Sequence, residues 1–228
     1  MFQKLLISIA NMLEKTGRKI KKHIRKKNLK QFLLTYSLQD GEMQKKTDIR
    51  YNPYEGTNLL MIDQLVTSGK IEREDAILDI GCGAGIFLIY LASKGFKNLY
   101  GVEIDRSLYE LCLKNIRNFE DRYVGSKPQI RVVHDNGVEY DVDDSINCFY
   151  LFNTFYDKET YMAWLNNVKR SLDRRFRKIK IIILYPTVAS MGAMRACDWL
   201  IEKGRIICQA QTCYQCVNCL IYESAESI

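Results

Sequence analysis

A three-layer α/β fold is predicted, with a doubly wound, mostly parallel seven-stranded sheet closed by a C-terminal antiparallel hairpin. Three observations predict it. Near-continuous apolar runs of five to eight residues alternate with helical periods from Ala76 onward. Strands that apolar on both sides belong in a parallel sheet covered by helices on its two faces. The first run, Ala76-Ile77-Leu78-Asp79-Ile80, carries an acid and then breaks into Gly81, Gly83 and Gly85. Last, residues 205–223 read as two adjacent strands joined by a tight turn.

Residues 2–14 carry Phe2, Leu5, Leu6, Ile9, Met12 and Leu13, an i, i+3/i+4, i+7 stripe that suits an amphipathic helix. A basic run and a polar stretch follow, so residues 1–48 are expected to form a basic helical arm and linker, and 49–228 the main domain. Arg50-Tyr51-Asn52-Pro53-Tyr54-Glu55-Gly56-Thr57 reads as a loop by its Asn-Pro and Gly. A helical period through Leu59, Leu60, Ile62, Leu65 and Val66 stops at Gly69. Strand 76–80 then leads to helix 84–94, strand 98–103 to helix 106–118, and a short strand follows at 129–133. Strand 146–152 precedes helix 157–172, and strand 178–185 precedes helix 189–203. The closing strands span 205–211 and 215–223.

At 228 residues, 47% hydrophobic and 27% charged, the chain can bury a full core. Residues 1–30 hold ten Lys and Arg against Glu14 alone, a charge of +9, so residues 31–228 contribute −2 to the net +7. The basic character belongs to the arm, which argues against nucleic-acid binding across a broad face of the body. The basic run follows the apolar stretch instead of preceding it, unlike a secretory signal. The eight cysteines are therefore expected as reduced thiols in a cytoplasmic protein. The arm's apolar stripe and cationic run suit an anionic membrane surface at the inner face; a nucleic-acid tail, a plain extension and a helix docking on its own domain are the alternatives. Cys213, Cys216 and Cys219, with Cys208 nearby, have tempting zinc spacing. Odd separation along a strand puts Cys216 and Cys219 on opposite faces, so no metal is expected.

Ligands of open parallel sheets bind beyond the carboxyl ends of the strands, where Gly81, Gly83 and Gly85 lie. A pyrophosphate cradle wants G-x-G-x-x-G; here the third glycine comes one residue early and the sixth position is Ile86. Asp79 would repel a pyrophosphate and suits a cationic group such as an α-amine. Eighteen residues beyond Gly85, the strand Leu99-Tyr100-Gly101-Val102-Glu103 also ends in an acid. A carboxylate there can accept from both hydroxyls of a ribose.

Leu78-Asp79-Ile80-Gly81-Cys82-Gly83-Ala84-Gly85 resembles the glycine motif of class I (seven-strand) S-adenosylmethionine-dependent methyltransferases. Gly101-Val102-Glu103-Ile104-Asp105 resembles their second motif, and the resemblance covers about residues 50–222. It implies S-adenosylmethionine as cofactor, with Asp79, Gly81, Cys82, Gly83, Glu103 and Ile104 in its site. Val132-Val133-His134-Asp135-Asn136 lies where the family places an acid against the adenine amino group, which implies Asp135 with Asn136 beside it. Tyr54-Glu55-Gly56-Thr57 resembles the segment of protein-lysine and related methyltransferases that folds over the methionine end, implying Tyr54 and Thr57. Phe152-Asn153-Thr154-Phe155 resembles the family's Asn-Pro-Phe, with Thr154 replacing the proline. Asn153 is the residue this implies for positioning the acceptor.

The activity implied is methyl transfer to a nitrogen or oxygen acceptor. A small molecule or glycan intermediate comes first, a protein side chain next, and nucleic acid third. A non-catalytic cofactor-binding or membrane-recruitment module is the alternative. Glu55, Tyr54 and His134 are the candidate bases should a hydroxyl be the acceptor.

Overall fold

The computed structural model describes residues 30–41, 50–56, 59–125, 128–209 and 216–225. Seven strands form one sheet: β1 (Ala76–Ile80), β2 (Asn98–Glu103), β3 (Gln129–His134), β4 (Cys148–Phe152), β5 (Lys180–Leu184), β6 (Leu200–Gln209) and β7 (Cys216–Ser224). Their spatial order is β3-β2-β1-β4-β5-β7-β6. β1 to β5 pair in parallel, while β7 runs antiparallel to both β5 and β6. The order reverses between β1 and β4, which fixes the ligand crevice at their carboxyl ends.

Helices α1 (Leu59–Thr67), α2 (Ile86–Ser93), α3 (Arg106–Arg122), α4 (Lys158–Arg174) and α5 (Val188–Arg195) cover the sheet. The period-2 alternation of the strands divides the core. Ile77, Cys148, Tyr150, Ile182 and Ile221 pack with α1, α2 and α3. Leu78, Ile80, Phe149, Leu151, Ile181 and Ile183 pack with α4 and α5. Phe87 stacks on Tyr150 on the first side, with ring centroids 3.8 Å apart, and Phe149 meets Trp164 edge-on at 5.8 Å on the second. Helix α2 is buried from Ile86 to Ala92, an apolar helix pressed between sheet and neighbours.

Two expected elements end elsewhere. The helix predicted over 189–203 stops at Arg195, and Leu200 already pairs with Ser224 in β6. Met194 and Cys197 carbonyls accept from the Cys197 and Leu200 N–H groups, turning the chain. Gly204 sits in a register shift of the β6–β7 ladder, a bulge within the strand.

Residues 1–29 and 42–49 lie outside the described residues, and with them most of the expected arm. The helical segment at 30–35 and the chain to 41 pack on the domain. Phe32 meets Tyr90 at 5.3 Å and Tyr36 meets Phe119 at 4.8 Å. Asn115, fully buried, accepts from the Gln39 N–H (3.0 Å) and donates to the carbonyls of Gln39 (2.7 Å) and Ala84 (2.9 Å).

Candidate cofactor and acceptor cleft

The glycine turn after β1 is held from behind, because the Gly81 and Cys82 N–H groups donate to the Val102 carbonyl at 2.9 and 3.1 Å. Gly81, Gly83 and Gly85 all have positive φ. Gly83 also needs its missing side chain, since a Cβ there would fall 2.2 Å from Cε2 of Tyr54. The Tyr54 ring therefore lies directly over the turn. Its hydroxyl donates to the Asp40 carboxylate and accepts from the Gly41 N–H (3.4 Å). Burial, then the Asp40 hydrogen bond and charge, push the phenol far above its ordinary value.

Two carboxyls face the turn from adjacent strands. Asp79 is 4% exposed, and no hydrogen bond reaches it among the described residues. Burial raises it well above the usual carboxylate range, and the charge of Glu103 adds to the effect. Glu103 accepts from the Gly83 N–H (2.7 Å) through Oε2 and from the Asp105 N–H (2.8 Å) through Oε1. Burial raises Glu103 too, with these N–H groups pulling the other way. Each oxygen of Glu103 keeps acceptor capacity for a further donor.

On the β4 side, segment 50–56 runs antiparallel along the chain leaving the strand. Asn52 N donates to the Thr154 carbonyl (3.1 Å) and Tyr156 N to the Arg50 carbonyl (2.9 Å). Asn153, in the left-handed region at φ 49, sits between two neighbours. Its Oδ1 accepts from Asn52 Nδ2 (3.0 Å) and its Nδ2 donates to Glu55 Oε2 (3.3 Å). Thr154 is buried and donates to the Ile80 carbonyl (3.0 Å), tying the end of β4 to the end of β1. The departure from proline thus has a structural role, which its hydroxyl alone could have signalled.

One cleft joins these groups, enclosing about 960 Å³ with its open mouth. It gathers Tyr54, Asp79, Gly81, Cys82, Glu103, Ile104 and Asn153. Its floor is apolar, from Ile86, Phe87, Val102, Leu108 and Phe152. Tyr51 and Asn52, which carried no sequence signal, also line it. Asp135 is exposed and off the cleft wall, with its carboxylate accepting from the Asn136 N–H (2.7 Å). Asn136 accepts from the Val138 N–H (3.0 Å) and from the Tyr51 hydroxyl. His134 is exposed beside Tyr109 and donates to the Ile104 carbonyl (3.0 Å), away from the cleft. Thr57 lies outside the described residues, as do Cys213 and the side chains of Cys208 and Cys216; Cys219 is buried in β7.

A doubly wound sheet with a glycine turn, a buried acid before it and a second acid on the next strand defines a domain for a nucleoside-bearing, cationic cofactor. Residues 77–175 match the family described as "Methyltransferase domain". Over that span the chain is similar to methyltransferase domains, and its sheet has the class I, Rossmann-like fold. Among curated proteins, human EEF1A lysine methyltransferase 2 is 26% identical over 140 residues, covering 59% of this chain and 52% of that protein. A probable ribosomal RNA small subunit methyltransferase A of Methanopyrus kandleri is 29% identical over 87 residues, covering 38% and 28%. The chain therefore spans about half, or less, of the length of these relatives. Magnesium protoporphyrin IX methyltransferase of Synechocystis, solved with S-adenosylmethionine, superposes with a TM-score of 0.53 at 14% identity, covering 72% of this chain and 76% of that one. An RNA methyltransferase of Salinibacter ruber, solved with S-adenosylhomocysteine, gives 0.53 at 15%, covering 76% and 96%. These structural likenesses show the shared fold.

Proposed function

We propose that this chain is an active methyltransferase that moves a methyl group from S-adenosylmethionine to a nitrogen or oxygen nucleophile entering beside Asn153. Asp79 carries the reading: a buried carboxyl with no described hydrogen-bond donor, facing a cleft, fits a cationic amine. The bound sulfonium supplies a methyl carbon already activated toward attack, so the protein's share is alignment and desolvation.

In this reading Asp79 holds the α-amino group, while the Gly81, Cys82 and Gly83 backbone lets the amino-acid end approach closely. Glu103 accepts from the ribose hydroxyls with its remaining lone pairs. Ile104 packs on the base, Asp135 and Asn136 serve its exocyclic amine, and Tyr54 and Thr57 cover the methionine end. The Asp135 assignment requires that side chain to turn from Asn136 toward the cleft. Asn153 positions the acceptor. The cytoplasm is the proposed compartment.

Calorimetric titration with S-adenosylmethionine and NAD tests the assignment. Binding of S-adenosylmethionine and not NAD is expected. Losing a hydrogen-bonded charge pair costs about 1.5–3 kcal/mol, so Asp79→Asn should bind about 10- to 150-fold more weakly. A wild-type protein that takes up no S-adenosylmethionine overturns the reading.

A further inference from the structure

We infer that the methyl acceptor is an amine, held at the transfer position by the Glu55 carboxylate, with Asn52 and Asn153 as the residues that position that carboxylate. This inference rests on the methyltransferase reading above and goes beyond it by naming the substrate class.

The strand order locates the acceptor end. Along the carboxyl edge come Glu103 on β2, Asp79 and the glycine turn on β1, then Asn153 after β4. With the ribose over β2 and the amino-acid end over β1, the reacting carbon must face the open wall beside β4. Glu55 lies on that wall, tethered to Asn153, which Asn52 holds in turn.

Apart from Asp79, the other carboxyls and the phenols of the cleft are engaged. The Tyr51 and Tyr54 hydroxyls donate to Asn136 and Asp40. Asp105 caps α3 by accepting from the Ser107 and Leu108 N–H groups. Glu103 accepts from two backbone N–H groups, and Asp79, buried and without a described donor, faces the cofactor's cationic end. Glu55 receives one hydrogen bond among the described residues and is exposed at the mouth.

Electrostatics selects the ligand. The described residues lining the cleft include the acids Glu55, Asp79, Glu103 and Asp105, and none of them is Lys, Arg or His. Among the described residues the lining is thus rich in carboxyls, with Glu55 at its exposed mouth, in a chain of net charge +7. A phosphate- or carboxylate-bearing acceptor would meet like charge here, whereas an ammonium meets a carboxylate with open lone pairs. Phe152 on the wall, backed by Tyr185 at 5.2 Å, offers apolar surface to the methylenes that carry the amine.

The step balances with the groups named. The ammonium passes one proton to the Glu55 carboxylate, and the freed nitrogen lone pair forms the bond to the methyl carbon. The carbon–sulfur bond breaks as its electron pair stays on sulfur, leaving neutral S-adenosylhomocysteine and a methylated ammonium. Glu55, being exposed, returns its proton to water.

Sinefungin, which carries an ammonium where S-adenosylmethionine carries its methyl group, probes that position directly. Calorimetry of the full chain should show sinefungin binding about tenfold more tightly than S-adenosylhomocysteine. In Glu55→Gln the preference should fall to within about twofold, with S-adenosylhomocysteine affinity retained as proof of folding. Asn153→Ala should lie between the two. Absence of any preference in the wild type, or its survival in Glu55→Gln, overturns the inference. Failure of both ligands to bind the wild type instead overturns the cofactor reading beneath it. With S-adenosylhomocysteine saturating, spermidine and a lysine-containing pentapeptide separate a free amine from a protein side chain. Glu55-dependent binding of either supports the inference and identifies the source; binding of neither overturns the amine assignment.

Discussion

Asp79 is kept at 4% exposure beside a second carboxyl, and its burial has a thermodynamic signature. Its folded pKa lies above the unfolded value, so its contribution to stability is complete below the ordinary carboxylate pKa of about 3.9. That contribution is lost as pH rises through the raised value, because the unfolded chain then releases the proton more readily. Asp79→Asn removes the titration. The variant should melt higher than wild type at pH 8, by at least about 2 °C if 1 kcal/mol is recovered, with the gap closing toward pH 4. Calorimetric melts across that range check it, and a pH-independent gap speaks against the assignment. The same substitution should weaken S-adenosylmethionine binding on the proposed reading, so stability and affinity are expected to move in opposite directions. At Gly83, Ala should cost about 1–2 kcal/mol from the left-handed backbone alone, besides displacing Tyr54; urea denaturation measures the loss.

The β1 turn was legible in the sequence because strand, glycines and acids are contiguous and the backbone demands are local. The loop after β4 was only half legible. Thr154 looked like a lost proline, yet its hydroxyl bonds Ile80 across two strands, a partner 74 positions away that no local pattern reveals. Thr154→Val should remove this hydrogen bond and cost about 0.5–1.5 kcal/mol, with faster hydrogen exchange at the β1–β4 boundary. Asp135 poses the opposite difficulty. Its place at the end of β3 is readable from the sequence, but whether the carboxylate faces the cleft or the Asn136 N–H depends on side-chain rotation. The over-long helix at 189–203 has a similar cause: Trp199, Leu200 and Ile201 continue its apolar run, and only pairing with β7 makes Leu200 and Ile201 strand.

Across the molecule, a net charge of +7 coexists with a carboxylate-lined cleft, so ligands are chosen locally and not by the overall field. Binding should stabilise the whole domain through linkage. At 100 times its dissociation constant, a cofactor analogue adds about 2.7 kcal/mol, or about 5–11 °C for a chain of this size. Thermal melts with S-adenosylhomocysteine measure it, and a shift under 2 °C at that saturation contradicts single-site binding to the folded state. Residues 30–41 belong to this unit, since Phe32, Tyr36 and Gln39 pack against α2 and α3. A chain shortened to residue 49 should therefore melt lower than one starting at residue 30.

Asn115 grips that N-terminal segment through the main chain of Gln39, using its N–H and carbonyl. In a saturation-mutagenesis library the two ends of the contact should consequently diverge. Position 115 should accept almost nothing but asparagine. Position 39 should accept most side chains and reject proline, whose missing N–H would break the clasp. Homologous chains could then drift freely in the spelling of this segment while keeping its docking, and comparison of their sequences at position 39 alone would miss that the segment is held at all.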